Sequence, residues 1–298
     1  MKAGDVGRVI TRYGAELVLE NDQGEHIRCT TRRKLEHVAC GDYVRWQREA
    51  QGNASVIEIL PRKNALSRSD IRGKLRTIAA NIDVLLIVNS WRPAPNWELL
   101  DRYLITAHSL SADPLIIFNK SDLRSQYADT EHLACLEEYQ RLGYVVLHTQ
   151  ASGVDYQDIA AICRYVAGRT AILVGQSGVG KSSLLHKLLP KKGIRVGAIA
   201  DTGEGRHTTT VANLYHLPAC GTLIDSPGVR DFALGSLTVP ELQAGHPEFE
   251  PFMGLCRFNN CTHHHEPGCA VKAAVLSAKV PQRRYERYLG LLKSQINN

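Results

Sequence analysis

The chain has 298 residues, 44% of them hydrophobic and 22% charged, with a formal net charge of +6. That length exceeds one ordinary domain, and the balance of apolar and charged residues excludes a disordered or fibrous chain. The positive balance mildly favours a polyanionic partner.

Across residues 1–62, short segments alternate apolar and polar positions: Val6–Ile10, Ala15–Leu19, Glu25–Thr30, Tyr43–Gln47 and Ser55–Leu60. Turn residues at Asn21-Asp22-Gln23-Gly24 and Cys40-Gly41-Asp42 separate them. Five such strands predict a small β-barrel of the OB type. By analogy with that fold, Arg28, Arg32, Arg33 and Lys34 are candidates for phosphate contacts.

From residue 63 to 234 strands and helices alternate. Asp83–Asn89 reads as a buried strand, Trp97–His108 as a helix, and Leu115–Phe118, Tyr144–Leu147 and Ala171–Val174 as further strands. Alternation of this kind predicts a mostly parallel sheet with helices on both faces. The longest apolar run, about Val84–Val88, falls far short of a bilayer span. Met1–Asp5 has no apolar stretch behind it, and a cytoplasmic protein without a membrane partner is expected.

The motifs in this region follow in chain order. Asn119-Lys120-Ser121-Asp122 ends a strand and has the NKxD form. The Asp122 carboxylate can accept both N1–H and N2–H of guanine, a donor pair that adenine lacks. A site built for those donors discriminates strongly. Thr149–Gly153, after the next strand, is a candidate for a further base-contacting loop.

Gly175-Gln176-Ser177-Gly178-Val179-Gly180-Lys181-Ser182-Ser183 then matches the phosphate loop. Its glycines let backbone N–H groups turn inward, Lys181 reaches the β and γ phosphates, and the Ser182 hydroxyl suits Mg²⁺. Downstream, Gly205-Arg206-His207-Thr208-Thr209-Thr210 offers a threonine on a mobile segment to complete the Mg²⁺ shell, and spacing leaves open which of the three serves. Leu223-Ile224-Asp225-Ser226-Pro227-Gly228 is an apolar strand ending in DxxG. There Asp225 would hold Mg²⁺ through water and the Gly228 amide would sense the γ-phosphate. Val229 stands where many GTPases carry a water-orienting glutamine. Slow intrinsic hydrolysis is therefore expected, with His207 the leading candidate to supply the missing function. NKSD precedes the phosphate loop, the reverse of the usual order. Joining the ancestral ends and opening a surface loop would preserve the same pocket.

Residues 235–298 are irregular around the cysteines and end in a predicted helix, Gln282–Gln295. Cys29, Cys40, Cys135, Cys163 and Cys220 are scattered, which argues against a disulfide framework. Cys256-x4-Cys261-x-His263-x5-Cys269 offers three thiolates and an imidazole, a structural Zn²⁺ set, with His264 and His265 as alternatives to His263. On the last helix, Arg283, Arg284, Tyr285, Arg287 and Tyr288 interleave basic and aromatic groups in a way that suits RNA.

Together NKSD, GQSGVGKSS, GRHTTT, DSPG and the CxxxxCxHxxxxxC cluster resemble the ribosome small subunit-dependent GTPase A family (RsgA, also called YjeQ) over nearly the full chain. The resemblance implies a multidomain fold: an N-terminal OB-type barrel (1–62), a circularly permuted α/β P-loop GTPase domain (63–234) and a C-terminal zinc-binding domain with a helix (235–298). It also implies GTP/GDP and Mg²⁺ held by Ser182, Thr209 and Asp225, with Thr209 chosen from the three threonines, and His207 as the switch histidine. The small ribosomal subunit and its rRNA are the implied partners, with hydrolysis stimulated by that subunit. A monomer is expected. The residues alone also fit a GTP-gated RNA-binding scaffold and a metal-handling GTPase.

Overall fold

The computed structural model describes residues 4–31, 35, 37–49, 53–69, 75–150, 156–189, 211–218, 220–226 and 237–296. His207, Thr209, Gly228, Val229, Arg32, Arg33, Lys34 and positions 151–153 of the candidate base loop lie outside them.

The N-terminal strands are β1 (Asp5–Tyr13), β2 (Glu16–Asn21), β3 (His26–Thr30), β4 (Tyr43–Arg48) and β5 (Ala54–Ile59). Their order, β1-β2-β3-β5-β4, is closed by β1 pairing with β4. β3 and β5 run parallel, as the OB topology requires. Alternation drives the closure: Val9, Leu17, Leu19, Cys29, Val44, Trp46 and Val56 point inward and fill the barrel. Arg62 seals its base by a bidentate bond to buried Asp42, at 2.6 and 2.7 Å.

A hairpin that the sequence reading missed follows, β6 (Ala65–Ser69) with β7 (Leu75–Ala80). The α/β unit comprises β8 (Val84–Ser90), α1 (Trp97–Ser109), β9 (Asp113–Asn119), α2 (Arg124–Tyr127), α3 (Thr130–Arg141), β10 (Val146–His148), α4 (Tyr156–Val166), β11 (Thr170–Val174), α5 (Lys181–Leu188), β12 (Asn213–His216) and β13 (Thr222–Asp225). Strand order is β10-β9-β8-β11-β13-β12, parallel except for the β12–β13 hairpin. Because β8 is buried on both faces, it reads as a continuous apolar run and its two sets of side chains feed separate cores. Leu85 and Ile87 pack with α1 and α3, whereas Val84, Leu86 and Val88 pack with α4 and α5.

The barrel and the α/β sheet are continuous: β1 also pairs with β12 at Thr11↔Asn213. Beyond them lie α6 (Val239–Ala244), a 3-10 segment Pro247–Phe252, α7 (Ala270–Leu276) and α8 (Gln282–Ile296). Thr238 and Glu241 form a reciprocal cap that starts α6. Phe249, Val271, Tyr288 and Leu291 form the core of this last unit, and Ile105 of α1 joins them.

Two expectations fail here. Cys163 and Cys220 are disulfide-bonded: tertiary contact pairs cysteines that are far apart in the chain. Of the five residues named on α8, Arg284 and Tyr288 have 0% exposure and Tyr285 9%, so these three side chains bind the interior and cannot face RNA, while the Arg283 side chain stays 41% exposed. Among the described residues, no helix is long and apolar enough to cross a membrane.

Candidate functional site

Parallel strands deliver their following loops to one edge of a sheet, and the order of the strands, not their direction, reverses between the parallel neighbours β8 and β11. Asn119 ends β9, Gly175 follows β11, Asp225 ends β13 and Thr149 follows β10. The permuted chain therefore brings its nucleotide motifs to one edge, although NKSD is separated in sequence from the phosphate loop.

Side chains join the two loops directly. Asn119 Nδ2 donates to Val179 O at 2.9 Å, and Lys120 Nζ donates to Gly178 O at 2.7 Å. Lys120 also donates to Arg92 O at 2.7 Å, and its backbone sits in the left-handed region at φ 57°. The approach is close enough to exclude a side chain at two positions of the phosphate loop: a Cβ at Gly180 would lie 2.2 Å from Asn119 Nδ2, and one at Gly175 would lie 2.2 Å from Val88 O. The contribution of the Arg92-Pro93 turn was missed from sequence. Its only signal was two prolines directly after a buried strand.

Thr149 anchors the base-side loop. Its Oγ1 donates to Asn119 Oδ1 at 3.1 Å, and its carbonyl accepts from Ser121 N–H at 3.0 Å. Ser121–Leu123 is a single 3-10 turn that leaves Asp122 exposed at the rim. Lys181 Nζ donates to Gly175 O and Gln176 O, each at 2.6 Å, at the mouth of its own loop. Ser182 and Ser183 open α5, whose N-terminal amides add positive potential. This arrangement can cradle phosphates and read a purine edge.

A second cluster lies in the C-terminal unit. One donor atom from each of Cys256, Cys261, His263 and Cys269 lies within 4.8 Å of every other. His263 Nδ1 is 3.6 Å from Cys256 Sγ and 3.4 Å from Cys269 Sγ, and the two sulfurs are 3.9 Å apart. Tetrahedral Zn–S bonds of about 2.3 Å demand sulfur separations of about 3.8 Å, so the donor set fits zinc. Burial pushes the Cys261 thiol up to about 12 and holds His263 below its ordinary value. A neutral imidazole is the ligand form, and bound cation would offset the thiolate desolvation. The backbone, at φ 59°, turns His263 inward, while His264 and His265 lean on each other. Tyr285 and Tyr288 on α8 donate to His263 O and Thr262 O at 2.6 and 2.7 Å, bracing the loop.

A buried ionic network joins α1 to the C-terminal unit. Arg284 bonds Asp101 of α1 and, at 2.6 Å, Glu248; Arg287 reaches Asp101 at 2.6 Å. Tyr139 donates to Asp101 at 2.5 Å. Burial pushes the Asp101 carboxyl up, but the two arginines outweigh it and hold it below its ordinary value.

The RsgA GTPase family profile matches residues 59–235. The chain is 42% identical over 294 residues to the small ribosomal subunit biogenesis GTPase RsgA of Haemophilus influenzae, covering 97% of this chain and 84% of that protein. It is equally 42% identical over 300 residues to the protein of that name from Chromohalobacter salexigens, covering 97% and 87%. Among solved structures it resembles YjeQ from Thermotoga maritima, with TM-score 0.75, 27% identity and 99% of each chain covered. It also resembles YloQ, a circularly permuted GTPase, with TM-score 0.73, 28% identity and 98% and 95% covered.

Proposed function

The chain belongs to the RsgA GTPase family, a family of GTP hydrolases, and from that premise we propose that it binds the small ribosomal subunit during late maturation and hydrolyses GTP under stimulation by it. The observation that carries this reading is the likeness, over 97% of the chain, to proteins named for biogenesis of that subunit. A likeness that includes barrel and C-terminal unit disfavours a metal-handling GTPase or a passive scaffold.

Within the site, amides of Gly175–Ser183 and Lys181 Nζ bind the β and γ phosphates. Asp122 accepts from the guanine edge, while Asn119, Lys120 and Ser121 fix the loop that presents it. Ser182, Asp225 through water, and Thr209 are the Mg²⁺ ligands in this reading, with Gly228 at the γ-phosphate. Bound Mg²⁺ would neutralise charge on the phosphoryl oxygens. His207 orients the attacking water, because Val229 has no group to do so. Cys256, Cys261, His263 and Cys269 hold a structural zinc. The reading divides the chain into 1–62, 63–234 and 235–298, acting as a cytoplasmic monomer whose flanking units contact rRNA.

The test is GTP turnover by the purified protein alone, with small subunits, and with large subunits. Acceleration by small subunits only is expected. Equal rates in all three arms would remove the ribosomal assignment and leave the GTPase.

A further inference from the structure

We propose that Cys163 and Cys220 form a reversible thiol–disulfide site, oxidised by a small-molecule disulfide, that clamps the β12–β13 hairpin to α4 and slows the nucleotide cycle. The inference rests on the GTPase reading but requires no ribosomal role. Cys163 lies on α4 and Cys220 in the turn between β12 and β13; they are bonded across 57 residues with Cα atoms 4.9 Å apart. Both residues are half-buried. By contrast Cys29 and Cys40 are enclosed, and burial pushes the Cys29 thiol up to about 12. Such a thiol is inert, whereas partial exposure admits an oxidant.

Backbone contacts hold the pair together independently of the sulfur bond. Gly168 N–H donates to Cys220 O at 2.6 Å, and Thr222 N–H to Arg169 O at 2.9 Å. Gly221 permits this approach, since a Cβ there would lie 2.4 Å from Arg169 O. Reduction therefore leaves the two thiols adjacent, and reclosure needs little ordering.

The hairpin's position gives the bond its consequence. β12 follows the GRHTTT segment and β13 ends at Asp225, so one hairpin joins both γ-phosphate-sensing motifs. The barrel docks on it as well: Thr11 pairs with Asn213, Glu20 bonds His216 at 2.8 Å, and Arg8 donates to Thr222 at 3.3 Å. Tying its tip to α4 adds a covalent restraint where the hairpin turn otherwise has backbone hydrogen bonds to the segment between α4 and β11.

In the oxidation, one cysteine thiolate attacks the small disulfide, forming a mixed disulfide and releasing one thiolate. The second cysteine thiolate attacks the protein sulfur of that mixed bond and releases the other. Two electrons pass from the cysteines to the small disulfide, and the two protons end on the released thiols.

The experiment uses full-length, zinc-loaded protein equilibrated in glutathione buffers of graded ratio. Differential alkylation and peptide mass mapping measure the 163–220 link, and a zinc dye confirms that Cys256, Cys261 and Cys269 keep their metal. Fluorescent-GDP release and GTP turnover are read on each form. Oxidation is expected to produce the linked peptide and slow GDP release at least about fivefold, the scale of an ordinary coupling between sites. Dithiothreitol should reverse it, and Cys163→Ala and Cys220→Ser should not respond. Absence of the link in the most oxidising buffer overturns the proposal. So does a linked protein that releases GDP as fast as the dithiol form, or a response from the two variants equal to that of the parent.

Discussion

Substituting Arg284→Met keeps much of the side chain's volume and removes its charge from a site of 0% exposure. Asp101 retains Arg287 at 2.6 Å and Tyr139 at 2.5 Å, so it stays paired. Glu248 loses both bonds from Arg284, at 2.6 and 3.2 Å, with its own side chain 2% exposed. Breaking a buried ion pair from one side costs about 3–5 kcal/mol, a large share of a total that is typically about 5–15 kcal/mol. Glu248 and Arg284 both lie in the C-terminal unit, so the loss falls inside that unit, while Asp101 of α1 keeps its tie to α8 through Arg287. Urea unfolding followed by circular dichroism should show the C-terminal unit melting earlier. Adding Glu248→Gln should restore part of the loss, because a buried amide is cheaper to leave unpaired than a carboxylate. A single-variant loss under about 1 kcal/mol would refute the argument, as would a double variant weaker than the single one.

Acid should weaken the joint between α1 and α8. The Asp101 carboxyl is held below its ordinary value, so its stabilisation is complete above that value and is lost as pH falls through the lower folded one. Urea midpoints measured downward from pH 5 should drop less steeply in Asp101→Asn than in the parent. Asp122→Asn should reduce GTP affinity at least about a hundredfold and favour xanthosine triphosphate, whose 2-oxo group accepts from the new amide. Competition against a fluorescent nucleotide reads both effects. Gly180→Ala should abolish tight nucleotide binding, since its Cβ would lie 2.2 Å from Asn119 Nδ2 at φ +96°; titration calorimetry with GDP checks this. Removing zinc with a chelator should release one metal ion per chain and loosen α8, whose Tyr285 and Tyr288 hold carbonyls of the ligand loop. Hydrogen exchange across residues 282–296 reports that loss.

The legible parts of this molecule were those with local causes. Period-two alternation exposed the five barrel strands, because one face of each must be buried. The phosphate loop, NKSD and the cysteine spacing were legible because their chemistry is carried by neighbours in the chain. Contacts made in three dimensions were hidden. Nothing near Cys163 announces Cys220, and nothing in Arg284-Tyr285 says that two carboxylates from distant segments await it. The aromatic and basic alternation on α8 looked like a nucleic-acid face because helix composition does not reveal which neighbours pack on it. The β6–β7 hairpin escaped because its strands are short and partly polar, with Arg68 and Arg76 facing one another across it.

The joint between β1 and β12 also governs how the protein can be cut. β1 belongs to the barrel, where it pairs with β2 and β4, yet it also flanks the terminal strand of the α/β sheet. A truncation that removes the barrel would expose the outer side of β12, which carries Leu214 and Tyr215 among its four residues. Bare sheet edges recruit other strands. An isolated GTPase fragment would therefore be prone to self-association, and shielding that edge would be the first requirement for keeping it in solution.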